Sequence, residues 1–135
     1  MENRKEMDEL IEHAAKARKN AYAPYSMYCV GAAVKTGSGK VYSGCNVENA
    51  VYPLSICAER TAVFKAVSCG ENKISAVAVV TENGGTPCGS CRQVLREFGE
   101  NMDIYVSDAK GNHRCYTLKE LLPESFSRKD VMGKE

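Results

Sequence analysis

The chain has 135 residues, with 18 basic and 17 acidic side chains and a formal net charge of +1. That length fits one domain with a real core, and the balanced charge, with no basic stripe, argues against nucleic acid as a partner. The seven cysteines are an odd count behind a charged first stretch and no apolar run nears the roughly 20 residues that span a bilayer, so the expectation is a single domain over 1–135, cytoplasmic, with reduced thiols and no membrane partner.

Lys5 to Asn20 reads as an amphipathic helix, with Met7, Leu10, Ile11, Ala14 and Ala17 at helical spacing. Its acidic residues come early and its basic ones late, as the helix dipole favours. A loop follows at Ala21-Tyr22-Ala23-Pro24-Tyr25-Ser26. Tyr28 to Thr36 reads as a strand, apolar or small on both faces and therefore buried between layers. The turn Gly37-Ser38-Gly39-Lys40 leads into Val41 to Cys45, and the pair predicts an antiparallel hairpin.

Asn46-Val47-Glu48-Asn49-Ala50 is a polar stretch at a strand end. It reads either as a solvated loop or as a clamp for sugar hydroxyls, since sites of α/β proteins lie at strand ends. Ile56 to Cys69 is helical in pattern, with Cys57, Glu59 and Arg60 in its first turn and Gly70 placed to cap its end. Ile74 to Thr81 is an unbroken apolar strand, and strand, helix, strand in that order predicts a parallel neighbour. A loop through Gly84-Gly85 precedes a helix from Gly89 to Phe98. Asp103 to Ser107 and His113 to Tyr116 read as the last strands, the second an antiparallel edge. Thr117 and Glu120 form a capping box for a short helix, and the polar residues from Ser125 on read as a frayed tail or an arm that needs a partner. These elements predict an α/β fold, a three-layer α/β/α sandwich around a mixed, mostly parallel five-stranded sheet.

Two stretches carry chemistry, Cys57-Ala58-Glu59-Arg60 and Pro87-Cys88-Gly89-Ser90-Cys91. Three readings compete. A redox module accounts for Cys88-x-x-Cys91 but leaves Cys57 and Glu59 unused. A structural zinc site needs a fourth ligand to close its tetrahedron. A catalytic zinc site needs only three, and keeps one position for water. Both stretches open helices after loops, so two loops at the carboxyl ends of strands would bring Cys57 to Cys88 and Cys91. Helix N-termini would favour their thiolates. Three thiolates on Zn²⁺ leave a net negative charge, which Arg60, one turn from Cys57, is placed to offset.

These two stretches, together with Asn46-Val47-Glu48-Asn49-Ala50, Ala23-Pro24-Tyr25-Ser26, Val30-Gly31-Ala32-Ala33 and Leu121-Leu122-Pro123, resemble the short, homotetrameric cytidine deaminases over nearly the whole chain. The resemblance implies that Cys57, Cys88 and Cys91 bind zinc, with water or hydroxide in the fourth position. It implies that Glu59 moves protons from that water to the pyrimidine N3 and the leaving amine as hydroxide attacks C4, so that cytidine or 2′-deoxycytidine becomes the uridine. The carbonyl of Ala58 is implied at the base, Tyr28 packed on it, and Asn46 and Glu48 at the ribose 3′-hydroxyl. Tyr52 and Phe126 are implied to reach a neighbouring subunit's site in a homotetramer, and the reaction to serve pyrimidine salvage. The chain departs from the family pattern at Tyr28, where Phe is usual, at Leu54-Ser55-Ile56 and at Ser90. Blasticidin-type deaminases share the metal motifs but are not expected to match the Asn46–Ala50 loop, and deaminases acting on nucleic acid usually have His where this chain has Cys57.

Overall fold

The structure is a computed structural model that describes residues 3–134. Helix α1 spans Arg4–Arg18 and is capped by Asn3, whose side chain accepts a hydrogen bond from the Glu6 N–H at 3.0 Å. Strands β1 (Gly31–Thr36) and β2 (Val41–Cys45) form the expected antiparallel hairpin. Helix α2 (Ala58–Ser68) leads to β3 (Ile74–Val80), α3 (Gly89–Phe98), β4 (Asp103–Ser107) and β5 (His113–Thr117). Two short helices, α4 (Leu118–Leu121) and α5 (Arg128–Met132), close the described chain.

The sheet has five strands in the order β2-β1-β3-β4-β5. It is mixed as expected but not mostly parallel, since among its ladders only β3–β4 is parallel. The parallel neighbour expected for β3 after α2 is therefore not β2. Strand β1 lies between them and pairs antiparallel with both. Strands β2 and β3 still point the same way, so their carboxyl ends lie along one edge of the sheet. The edge position and antiparallel pairing of β5 agree with the sequence reading.

Alternation along the strands splits the core into two layers. On one face Met7, Leu10 and Ala14 of α1 pack on Ala33, Ala76, Ala78, Val80 and Tyr105. On the other, Ala62, Val63 and Ala66 of α2 and Leu95 of α3 pack on Ala32, Val34, Val77, Val79, Ile104 and Val106. Burying one such Leu, Ile or Val side chain contributes about 1.5–3 kcal/mol, so these faces hold the three layers together. Glycine sets the spacing at two crossings. A Cβ on Gly44 would stand 2.8 Å from the Ala62 nitrogen, and one on Gly31 would stand 2.0 Å from the Ala14 carbonyl oxygen.

Strand β1 and helix α2 start later than expected because residues from elsewhere in the chain claim the backbone there. The first strand begins at Gly31 rather than Tyr28 because side chains take the backbone partners a ladder would use. Asn46 accepts from the Val30 N–H at 2.9 Å and donates to the Tyr28 carbonyl at 2.8 Å, and Arg18 donates to the Cys29 carbonyl at 2.9 Å. Helix α2 begins at Ala58 because Ile56 is paired with Val47 in an isolated antiparallel bridge, which leaves Cys57 as the N-cap. The end of α2 is a Schellman turn. Gly70 has φ +93°, its N–H donates to Val67 at 2.9 Å, and the Glu71 N–H donates to Ala66 at 2.9 Å. The Thr117–Glu120 capping box is present in both directions.

Candidate active site

The loop after β2 and the loop after β3 each end on a cysteine that caps a helix. Cys57 caps α2 and Cys88 caps α3, and both have extended backbone with a carbonyl that accepts the first helical N–H. Cys91 lies in the first turn of α3 and is wholly buried. The Cys57, Cys88 and Cys91 sulfurs all lie within 4.8 Å of one another. A tetrahedral zinc site with Zn–S bonds of about 2.3 Å separates its sulfurs by about 3.8 Å, so this set fits three corners of such a site.

The charge of the cluster makes the same demand. Hydrogen bonding from Cys91, reinforced by Arg60, draws the Cys57 thiol down to about 5 against the effect of burial. The Cys91 thiol moves the opposite way, pushed far up by its hydrogen bond to Cys57 and by burial. Without a cation, one sulfur carries charge at its neighbour's expense. A divalent metal is what lets all three act as thiolates. The Arg60 Nη2 donates to the Cys57 sulfur at 3.4 Å, and this contact raises the guanidinium pKa further. The buried Arg60 Nε is without a hydrogen-bond partner among the described residues.

Glu59 follows Cys57 by two positions and is only 5% exposed. Burial pushes its carboxyl up to about 7, with the Cys57 charge adding to the shift and Arg60 opposing it. A carboxyl near that value exchanges protons readily in neutral solution. It opens on a cavity of about 450 Å³ that is also lined by Cys57, Ala58, Arg60 and Cys88.

The same cavity is lined by Tyr28, Asn46, Glu48 and Tyr52. Val47 bridges to Tyr22 on one side and Ile56 on the other, which fixes the backbone between Asn46 and Glu48. The carboxylate of Glu48 is buried and accepts from the Tyr25 and Ser26 N–H groups, each at 3.0 Å, and from the Ser26 hydroxyl. Chiefly through that hydroxyl, it is held below the usual glutamate range. Tyr52, whose ring meets Tyr25 edge-on at 6.4 Å, lines the cavity of its own chain. Phe126 is not among the lining residues. It is 60% exposed, with its carbonyl accepting from the Gln93 side chain at 2.7 Å.

Sequence reasoning gave no role to Ser26 or Arg92. Arg92 donates to the carbonyls of Pro87 and Leu121, each at 2.7 Å, and to the Thr86 hydroxyl at 2.8 Å, which fixes the loop before Cys88. Its place beside Cys91 was the available signal; its partners are set by tertiary structure. The Tyr28 hydroxyl has its partner in Asn83, 2.7 Å away.

Three cysteine sulfurs placed to hold a metal, beside a buried carboxyl and an open cavity on a three-layer α/β/α scaffold, define a zinc-binding hydrolase. Residues 4–107 match the family model for the cytidine and deoxycytidylate deaminase zinc-binding region, and the chain belongs to that family. A cytidine deaminase of Sporosarcina psychrophila is 46% identical over 129 residues, covering 93% of this chain and 95% of that protein. A probable cytidine deaminase of Dictyostelium discoideum is 40% identical over 98% of this chain and 91% of its own length. The crystal structure of cytidine deaminase from Burkholderia pseudomallei superimposes with a TM-score of 0.84 at 48% identity, covering 88% of this chain and 98% of that one.

Proposed function

We propose that this enzyme hydrolyses cytidine and 2′-deoxycytidine to uridine and 2′-deoxyuridine with release of ammonia. The observation that carries the reading is the buried Glu59 carboxyl, opening on the same cavity as Cys57 and Cys88. Zinc held by Cys57, Cys88 and Cys91 would supply Lewis acidity that brings the pKa of a water toward neutrality. Glu59 takes a proton from the attacking water and passes it to N3 of the pyrimidine. It then carries the proton of the new C4 hydroxyl to the exocyclic amine as the bond from C4 to nitrogen breaks and the C4 carbonyl forms. Arg60 donates to the Cys57 sulfur and offsets the negative charge of three thiolates.

The Ala58 carbonyl contacts the base, and the Tyr28 ring packs on it. Asn46 and Glu48 hold the ribose 3′-hydroxyl. Asn46 spends one donor and one acceptor on the backbone of Tyr28 and Val30, and an amide has a further donor and acceptor for a ligand. Because neither residue is assigned to the 2′ position, the deoxynucleoside is accepted as well.

The working unit is a homotetramer. Leu54, Phe126, Val131 and Met132 are large apolar side chains left more than half exposed, and Phe126 completes a neighbouring subunit's site, while Tyr52 serves the cavity of its own chain. The enzyme acts in pyrimidine salvage in the cytoplasm; among the described residues, no helix is long and apolar enough to cross a membrane. The reading is tested by ammonia release from cytidine, deoxycytidine, cytosine, blasticidin S and guanine, with zinc measured on the same sample. Release from the two nucleosides in proportion to zinc content supports it. Release from blasticidin S or guanine alone, or none at full zinc, sinks it.

A further inference from the structure

We infer that Asn83 is a positioning residue for the nucleoside pocket, because its side-chain oxygen tethers the Tyr28 hydroxyl to the loop that leads to Cys88. The inference rests on the deaminase reading above for its substrate, but its geometry is independent of that reading.

The loop between β3 and α3 is wound about a buried hydroxyl. The Thr81 oxygen accepts from the Gly84 N–H at 2.8 Å and the Gly85 N–H at 2.9 Å. With its lone pairs engaged there, that hydroxyl has a proton to give, and it donates to Asn83 Oδ1 at 3.3 Å. The Tyr28 hydroxyl donates to the same oxygen at 2.7 Å. Two hydroxyl donors converging on one atom fix the orientation of the amide, since an oxygen accepts both and an NH₂ group accepts neither.

Gly85 makes the approach possible. A Cβ there would stand 3.0 Å from the Tyr28 hydroxyl oxygen, closer than nearly all real Cβ contacts. At its other end Tyr28 is held by the sugar side of the pocket. Its carbonyl accepts from Asn46 at 2.8 Å, and its N–H donates to the Ser26 hydroxyl at 3.0 Å, which in turn donates to Glu48. Tyr28 thus spans from the Asn46 and Glu48 side to the loop ahead of Cys88, and its ring lines the cavity between them. Tyr28 is 39% exposed, so protein packing surrounds it only in part and the tether adds a fixed point at its hydroxyl. Asn83 itself does not line the cavity, and it acts only through Tyr28.

The test compares the parent enzyme with Tyr28→Phe, Asn83→Ala, the double variant and Asn83→Asp, reading KM and kcat for cytidine at confirmed full zinc content. Loss of one hydrogen bond predicts a KM raised about three- to tenfold in Tyr28→Phe and Asn83→Ala, with kcat changed less than about twofold. The double variant should be no worse than the poorer single one. Asn83→Asp keeps the acceptor and should recover most of the loss. A KM in Tyr28→Phe within twofold of the parent overturns the tether, as does Asn83→Asp no better than Asn83→Ala, or losses that multiply in the double variant. If Asn83→Ala fails to hold zinc, Tyr28→Phe against the parent decides alone. A parent that deaminates no cytidine contradicts the deaminase reading instead, before any variant is compared.

Discussion

The Arg60 guanidinium donates to the Cys57 sulfur at 3.4 Å from one turn along the same helix. The contact links a fixed positive charge to a thiolate whose ionisation it favours. Arg60→Gln keeps a hydrogen-bond donor but loses the charge. It should retain most of the zinc while lowering turnover by about tenfold or more, the scale of one charge-assisted hydrogen bond. Zinc content and kcat on the same preparation decide it. A variant as active as the parent would make Arg60 an ordinary helix residue.

Cys88→Ala should lose zinc and activity together. Cys57 and Cys91 alone are a two-thiolate site, and metal held by two ligands dissociates far more readily than by three. Metal content of the purified variant is the measurement, and near-stoichiometric zinc would remove Cys88 from the ligand set.

Glu48 is tied to the backbone of Tyr25 and Ser26 in the free enzyme, so it shapes the pocket in addition to the sugar contact proposed for it. Glu48→Ala should raise KM for cytidine by about tenfold or more and lower kcat less, the pattern of an interaction made equally in ground and transition state. Its pH dependence has a definite sign. The carboxyl is held below its ordinary value in the fold, so its contribution to stability is fully present above the unfolded value of about 4.3. That contribution fades as pH falls through the lower folded value. The difference in Tm between the parent and Glu48→Gln should therefore be flat from neutral pH down to that region and shrink below it. A gap that already narrows between pH 7 and 6 would contradict this.

Much of this was legible in the sequence because it is local. The bounds of α3 and the Thr117–Glu120 capping box follow from spacing and side-chain chemistry within a few residues. The three cysteines were legible from their types and from the helices they open. Strand order was not. Nothing near β3 says that β1, rather than β2, pairs with it, because pairing between distant segments leaves no short-range pattern. The late start of β1 was hidden for a related reason. Tyr28, Cys29 and Val30 have strand-like side chains, but Asn46 and Arg18 compete for their backbone groups from elsewhere in the chain. The hold of Glu48 on the Tyr25 and Ser26 backbone, and the place of Tyr52 in its own chain's cavity, likewise needed tertiary contacts.

Glu59→Gln tests the central claim most directly. Gln has nearly the same shape and hydrogen-bonding reach, but it cannot take up and release the proton. The variant should fold, hold zinc stoichiometrically and bind cytidine, while kcat falls by at least the ~10²–10⁴-fold typical of a lost general acid–base group. Zinc content, nucleoside affinity and kcat measured on this one variant are the readout. Full zinc, retained affinity and that loss of turnover are the predicted result; turnover within tenfold of the parent at full zinc would contradict Glu59 as the proton carrier.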